Sequence, residues 1–136
     1  MPLIEWSDSL SVGNDEIDTQ HKKWIRMTNE LHEALLNSAA DKVREVALGS
    51  LKEMREYVRY HFDHEEEYMQ RINYPDLAEH RKIHAVFYVR IIDYYNQVQE
   101  GKLVLNTQIM KTLRNWLEHH IMNEDKKYGD FAARRK

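Results

Sequence analysis

Residues 61–84 read HFDHEEEYMQRINYPDLAEHRKIH. In the left half, His61, Glu65 and Tyr68 recur at steps of four and three. In the right half, Leu77, His80 and His84 do so at steps of three and four. Between them Asn73-Tyr74-Pro75-Asp76 breaks the pattern, because Pro disfavours helix in the residue before it and suits the first turn of the next helix. Two helices joined by so short a break pack as antiparallel neighbours. Each presents a His followed four residues later by Glu or His, so each pair projects from one face, one turn apart.

The same stripes continue outward. Upstream, Leu51, Met54 and Val58 extend the left helix; downstream, Phe87, Ile91, Tyr94 and Val98 extend the right one. Ile17, His21, Trp24, Thr28, Leu31 and Leu35 form a further stripe, and Ile109, Leu113, Trp116 and His120, with Ile121 and Tyr128 beyond, form the last. Such 3-4 spacing marks the inward face of a helix packing at a shallow angle. Asp41 and Asn106 suit N-caps, and Gly101 suits a C-terminal stop. Helices are therefore expected at roughly 18–37, 41–71, 76–100 and 106–130, after a non-helical arm over 1–16 with a turn at Gly13-Asn14. The expected fold is all-α, an up-down-up-down antiparallel four-helix bundle, in a single domain over 1–136.

Composition agrees and excludes several alternatives. The 136 residues include only 4 Gly and 2 Pro, too few turn signals for a many-stranded sheet. A net charge of −3 gives no electrostatic reason to expect nucleic acid. No stretch approaches the roughly 20 apolar residues of a membrane span, so no membrane contact is expected within the chain. The start of the chain lacks a basic and then apolar leader, which leaves a cytoplasmic location as the expectation. Cys is absent, so disulfides, thiolate zinc sites and iron–sulfur clusters drop out. Against this stand 8 His.

His21, His61, Glu65, His80, His84 and His120 fall on apolar stripes, and each helix contributes at least one. Polar groups converging in one buried layer cost several kcal/mol apiece unless a partner compensates. A metal is that partner, since imidazole is its commonest protein ligand. Asp125 stands five residues beyond His120, a spacing that aligns less well on one face and requires the carboxylate to reach back. Glu65 and Asp125, able to bridge, suit a dinuclear site. His32, His64 and His119 lie beside the stripes and read as solvated, as do Glu66 and Glu67. The H-E-x-x-H zinc helix, the Glu-x-x-His di-iron bundle and the EF-hand loop are all missing.

Asp18-x-x-His21, His61-Phe62-x-x-Glu65, His80-x-x-x-His84 and Trp116-Leu117-x-x-His120-Ile121-x-x-x-Asp125-x-x-Tyr128 together resemble the hemerythrin family, in particular its bacterial branch. Ile4-Glu5-Trp6 and Val12-Gly13-Asn14 are similar to bacterial members as well. The resemblance implies two iron ions with a bridging oxo or hydroxo group. His80, His84 and His120 would bind one iron, His21 and His61 the other, and Glu65 and Asp125 would bridge them. One iron then has six ligands and the other five, leaving an open position for O2. Trp24, Phe62, Trp116, Leu117 and Ile121 would wall an apolar O2 pocket, while Asp18 and Tyr128 could orient ligands, with Asp18 equally placed to cap the first helix. The family implies reversible O2 binding, for transport or storage, or for sensing in chemotaxis as a domain attached to a signalling module. A di-iron enzyme, an oxidase or peroxidase or one that handles nitric oxide, is the alternative.

Overall fold

The computed structural model describes residues 2–135; Met1 and Lys136, at the ends of the expected arm and basic tail, lie outside them. Helices α1 (Asp15–Asn37), α2 (Val43–Arg71), α3 (Leu77–Gln99) and α4 (Thr107–His119) run up and down in an antiparallel bundle, and the last continues through a π-helical stretch, His120–Asp125, into α5 (Lys126–Arg134). No strand occurs among the described residues. Helix α2 packs between α1 and α3, and α4 returns against α1. Phe87 of α3 stacks on Trp116 of α4 at 3.7 Å and 15°, which joins the remaining edge. Among the described residues no helix is long and apolar enough to cross a membrane.

Local chemistry sets the helix ends. Asn14 caps α1 by accepting from the Ile17 N–H at 3.0 Å, so the helix begins three residues before the expected start. Asp18 is therefore an interior residue and not the cap. Its carboxylate accepts from the Ser11 hydroxyl at 2.5 Å and the Val12 N–H at 2.9 Å, which ties the arm to α1. Asp41 caps nothing either: it lies in the turn before Val43, and α2 begins without a side-chain cap. Asn106 does cap α4, accepting from the Ile109 N–H. Gly101, with φ of 76°, adopts the left-handed conformation that closes α3. The arm itself is not wholly irregular, since Asp8–Leu10 forms a 3-10 turn.

The core is divided in two by a polar layer. On α1, Ile17 belongs to a small apolar cluster with Val12, Met69, Tyr74 and Tyr128, whereas Trp24 belongs to the large one that fills the rest of the bundle. His21 lies between them. The same order recurs on α2, where Glu65 and His61 separate Met69 from Val58, and on the last helix, where Asp125 and His120 separate Tyr128 from Leu117. Two apolar blocks thus seal a layer of imidazoles and carboxylates from above and below.

The arm spans both blocks, with Ile4 and Leu10 packed in the large one and Val12 in the small one. The Ile4 N–H donates to Asn29 Oδ1, and Lys126 donates to the Ser9 carbonyl. Gly129 approaches so closely that a Cβ there would stand 2.5 Å from the Val12 carbonyl oxygen. Gly129→Ala is expected to push the arm off α5 and cost about 1–3 kcal/mol. Urea unfolding of the variant beside the unaltered protein measures this, and an unchanged midpoint would contradict the close packing.

Candidate metal centre

Seven side chains meet in the polar layer, and all seven are buried: His21 from α1, His61 and Glu65 from α2, His80 and His84 from α3, His120 and Asp125 from the π-helical stretch. They form two groups able to hold a cation. One is Glu65, His80, His84, His120 and Asp125, and the other is His21, His61 and Glu65. Asp125 also reaches the second group, with Oδ2 3.1 Å from His21 Nε2.

The donor atoms face each other at nearly constant spacing. His80 Nε2 and His120 Nε2 lie 3.1 and 3.0 Å from Asp125 Oδ1. His61 Nε2 lies 3.1 Å from Glu65 Oε1, and His21 Nε2 lies 3.4 Å from Glu65 Oε2. His84 Nε2 and His120 Nε2 approach to 3.1 Å. Yet eight buried atoms in this layer have no hydrogen-bond partner among the described residues, including His21 Nε2, His61 Nε2, His80 Nε2, Glu65 Oε1 and both Asp125 oxygens. Within each group, one donor atom per residue lies within 4.8 Å of all the others. Around an octahedral ion with bonds of about 2.1 Å, neighbouring donors stand about 3.0 Å apart. The residues present fit cations, and without one each orphaned buried atom would cost about 1–3 kcal/mol.

The π-helical turn explains how Asp125 takes part. In an α-helix, residues five apart do not share a face. Here the Lys126 N–H reaches the Ile121 carbonyl, the i→i+5 bond of a π-turn, and the widened turn swings Asp125 under His120. The sequence spacing implied a continuous helix over 106–130; the structure replaces six of its residues with this rarer winding.

Partners behind the donors orient the rings. His61 Nδ1 donates to Gln20 Oε1 at 2.7 Å, and His84 Nδ1 donates to Glu66 Oε2 at 2.8 Å, which leaves each Nε2 lone pair facing inward. Neither partner is legible in the sequence, because the contacts span 41 and 18 residues. Glu66 was expected to be solvated; it is instead partly buried against α3, since the helix carries it round to the side that faces His84. The Tyr128 hydroxyl donates to Glu65 Oε2 at 2.5 Å, an orienting contact. Asp18, by contrast, makes its hydrogen bonds to the arm and none to a ligand.

The expected wall residues divide into two kinds. Phe62 stacks on His84 at 3.7 Å and 3°, Trp116 stacks on His120 at 4.5 Å and 10°, and Trp24 meets His61 edge-on at 5.7 Å. Leu117 and Ile121 are buried in the same large cluster. Phe87, not anticipated in this role, packs against Trp24, Phe62 and Trp116 and completes the aromatic group. Its position three residues after His84 on the inward stripe was the available signal.

The remaining His stay outside. His119 is exposed and pairs with Asn123, His64 is partly buried beside Glu16, and His32 lies near Thr107. His119→Ala is expected to leave the metal content unchanged, as elemental analysis of the purified variant would read; loss of metal would mean that the wrong neighbour was chosen.

Charge coupling in the layer is strong. Burial works against a charged His21, but the Asp125 and Glu65 carboxylates outweigh it and push the imidazole up to about 10. Burial and mutual repulsion work against ionised Glu65 and Asp125, yet the surrounding imidazoles hold both below the usual carboxylate range. A cation-free centre therefore keeps a proton on His21 at neutral pH. A cation needs that lone pair, so loading at pH 7 should release about one proton or more per chain. Metal titration in weakly buffered indicator solution measures it, and loading without acidification would rule the coupling out.

Four antiparallel helices enclosing a nitrogen-rich, carboxylate-linked pair of cation sites define a dinuclear metal-binding bundle. Residues 12–132 match the model of the hemerythrin HHE cation binding domain. The chain belongs to the hemerythrin family. It is 36% identical over 130 residues to a bacteriohemerythrin of Stenotrophomonas maltophilia (strain R551-3), covering 96% of this chain and 82% of that one. A bacteriohemerythrin of Clostridium acetobutylicum is 26% identical, covering 94% and 100%. A crystal structure of wild-type hemerythrin superposes with a TM-score of 0.86 at 29% identity, covering 94% of this chain and 96% of that one. Family and fold support a di-iron O2-binding protein and not an enzyme.

Proposed function

We propose that this chain binds O2 reversibly, with His80, His84 and His120 holding one iron, His21 and His61 the other, and Glu65, Asp125 and a solvent-derived oxo or hydroxo group shared between them. The observation that carries the reading is the unequal donor set: three imidazoles converge on one side of the shared carboxylates and two on the other. When bound, the iron pair would supply the electrons that hold O2.

The protein's own residues do the rest. Gln20 and Tyr128 keep His61 and Glu65 in place through the 2.7 and 2.5 Å bonds above. Trp24, Phe62, Trp116, Leu117 and Ile121 line the centre with apolar groups, which deny water and protons the stabilising contacts that would favour loss of an oxidised product. Trp24 is fully buried and edge-on to His61, on the two-His side, so its bulk sets the space available there. The chain would serve free in the cytoplasm as a carrier or store, or as the O2-sensing domain of a signalling protein. Rapid mixing of the reduced protein with O2 tests the binding. An absorption change that is stable and reverses under vacuum is expected; rapid decay with consumption of a reductant would replace this reading with an oxidase.

A further inference from the structure

Between α2 and α3 a cleft of about 340 Å³ runs from solvent down to Phe62 and His84, with Arg59, Asp63, Glu66 and Arg81 among its walls. At its floor the His84 ring is held on two sides. Phe62 lies flat against it at 3.7 Å and 3°, and Glu66 Oε2 accepts its Nδ1 proton at 2.8 Å. Glu66 in turn receives Arg81 Nε on its other oxygen at 3.2 Å. The corresponding place behind His61 is taken by a neutral amide, Gln20. Thus one side of the centre is backed by a full negative charge and the other is not.

We propose that Glu66 is a positioning residue that strengthens His84 as an electron donor, and that Arg81 counteracts it from the surface. A carboxylate accepting the Nδ1 proton draws the imidazole towards its anion, so that Nε2 donates more strongly to a metal. The same charge also favours the ferric over the ferrous state of an iron at Nε2 through space. Both effects lower the reduction potential on the three-His side. Arg81 places a positive charge on the same carboxylate and works in the opposite direction. Its influence is weaker, because its side chain is 50% exposed and screened by water. The inference rests on His84 being an iron ligand, as proposed above, but not on O2 binding being reversible.

Two charge-removing variants and one truncation test it, each loaded with iron and titrated potentiometrically. Glu66→Gln keeps an acceptor for Nδ1 and removes only the charge. It is expected to retain iron and to shift the ferric-to-ferrous ratio about tenfold towards ferrous at a fixed potential, equivalent to about 59 mV for one electron. Arg81→Gln is expected to shift the ratio about twofold the other way, and the shift should fade in high salt. Glu66→Ala, which removes the acceptor, should weaken iron about 10–100-fold in competition with a chelator while leaving the helical circular dichroism unchanged. Opposite shifts in the two Gln variants are not produced by a merely structural role. The proposal is overturned if Glu66→Gln moves the potential by less than twofold in ratio, if both Gln variants shift in the same direction, or if Glu66→Ala holds iron as tightly as the unaltered protein. Irreversible O2 uptake by the unaltered protein would remove the functional reading but leave this one standing.

Discussion

Glu65→Ala is expected to take the iron content from about two atoms per chain to well below one. Glu65 belongs to both cation groups, with Oε1 3.1 Å from His61 Nε2 on one side and 3.5 Å from His84 Nε2 on the other. Removing it deletes a donor from each group at once and leaves the buried Tyr128 hydroxyl without its acceptor. A buried donor stripped of its partner costs about 1–3 kcal/mol, so the variant should also be less stable than the unaltered protein. Glu65→Gln keeps the volume and one acceptor oxygen but not the charge that the imidazoles and cations need. It should fall between the two. Elemental analysis with circular dichroism on both variants separates loss of metal from loss of fold. Full retention of iron by Glu65→Ala would mean that the carboxylate shared between the groups holds neither.

Stripping the metal from the unaltered protein should lower its thermal midpoint by roughly 10–15 °C. Eight buried polar atoms in the layer have no hydrogen-bond partner among the described residues, so the cation-free fold carries a concentrated desolvation cost between its two apolar blocks. A ligand that binds only the folded state at about a thousand times its dissociation constant stabilises it by about 4 kcal/mol. For a chain near this size each kcal/mol moves the midpoint by roughly 2–4 °C. Calorimetric scans of iron-loaded and chelator-treated protein compare the two states directly. Coincident transitions would show that the layer is satisfied without metal.

How much of this was legible beforehand depends on the range of the interaction. His61 with Glu65 and His80 with His84 are one-turn pairs, and their alignment follows from helix geometry alone. Their shared presence on apolar stripes identified the layer, because a buried imidazole without a partner is too costly to recur by accident. Asp125 was readable only as an anomaly: five residues from His120 is the wrong spacing for an α-helix, and the resolution of that anomaly, a π-turn, is backbone geometry. Asp18 was offered by the resemblance as a residue that could orient a ligand or equally cap the first helix; its carboxylate accepts from Ser11 and Val12, a contact that depends on how the arm folds back on α1.

The amino-acid sequence by itself determined four amphipathic helices, where they break, and which polar residues must be buried together. These are consequences of periodicity, proline and glycine chemistry, and the cost of desolvation, all of which act within a few residues along the chain. Only the tertiary structure decided which groups stand behind the donors. Gln20 meets His61 from a neighbouring helix, Glu66 of α2 meets His84 of α3, and Phe87 closes the aromatic group around Trp24. Such contacts depend on how far each helix is rotated and shifted against its partner. Packing of whole faces sets that, and no local run of residues does.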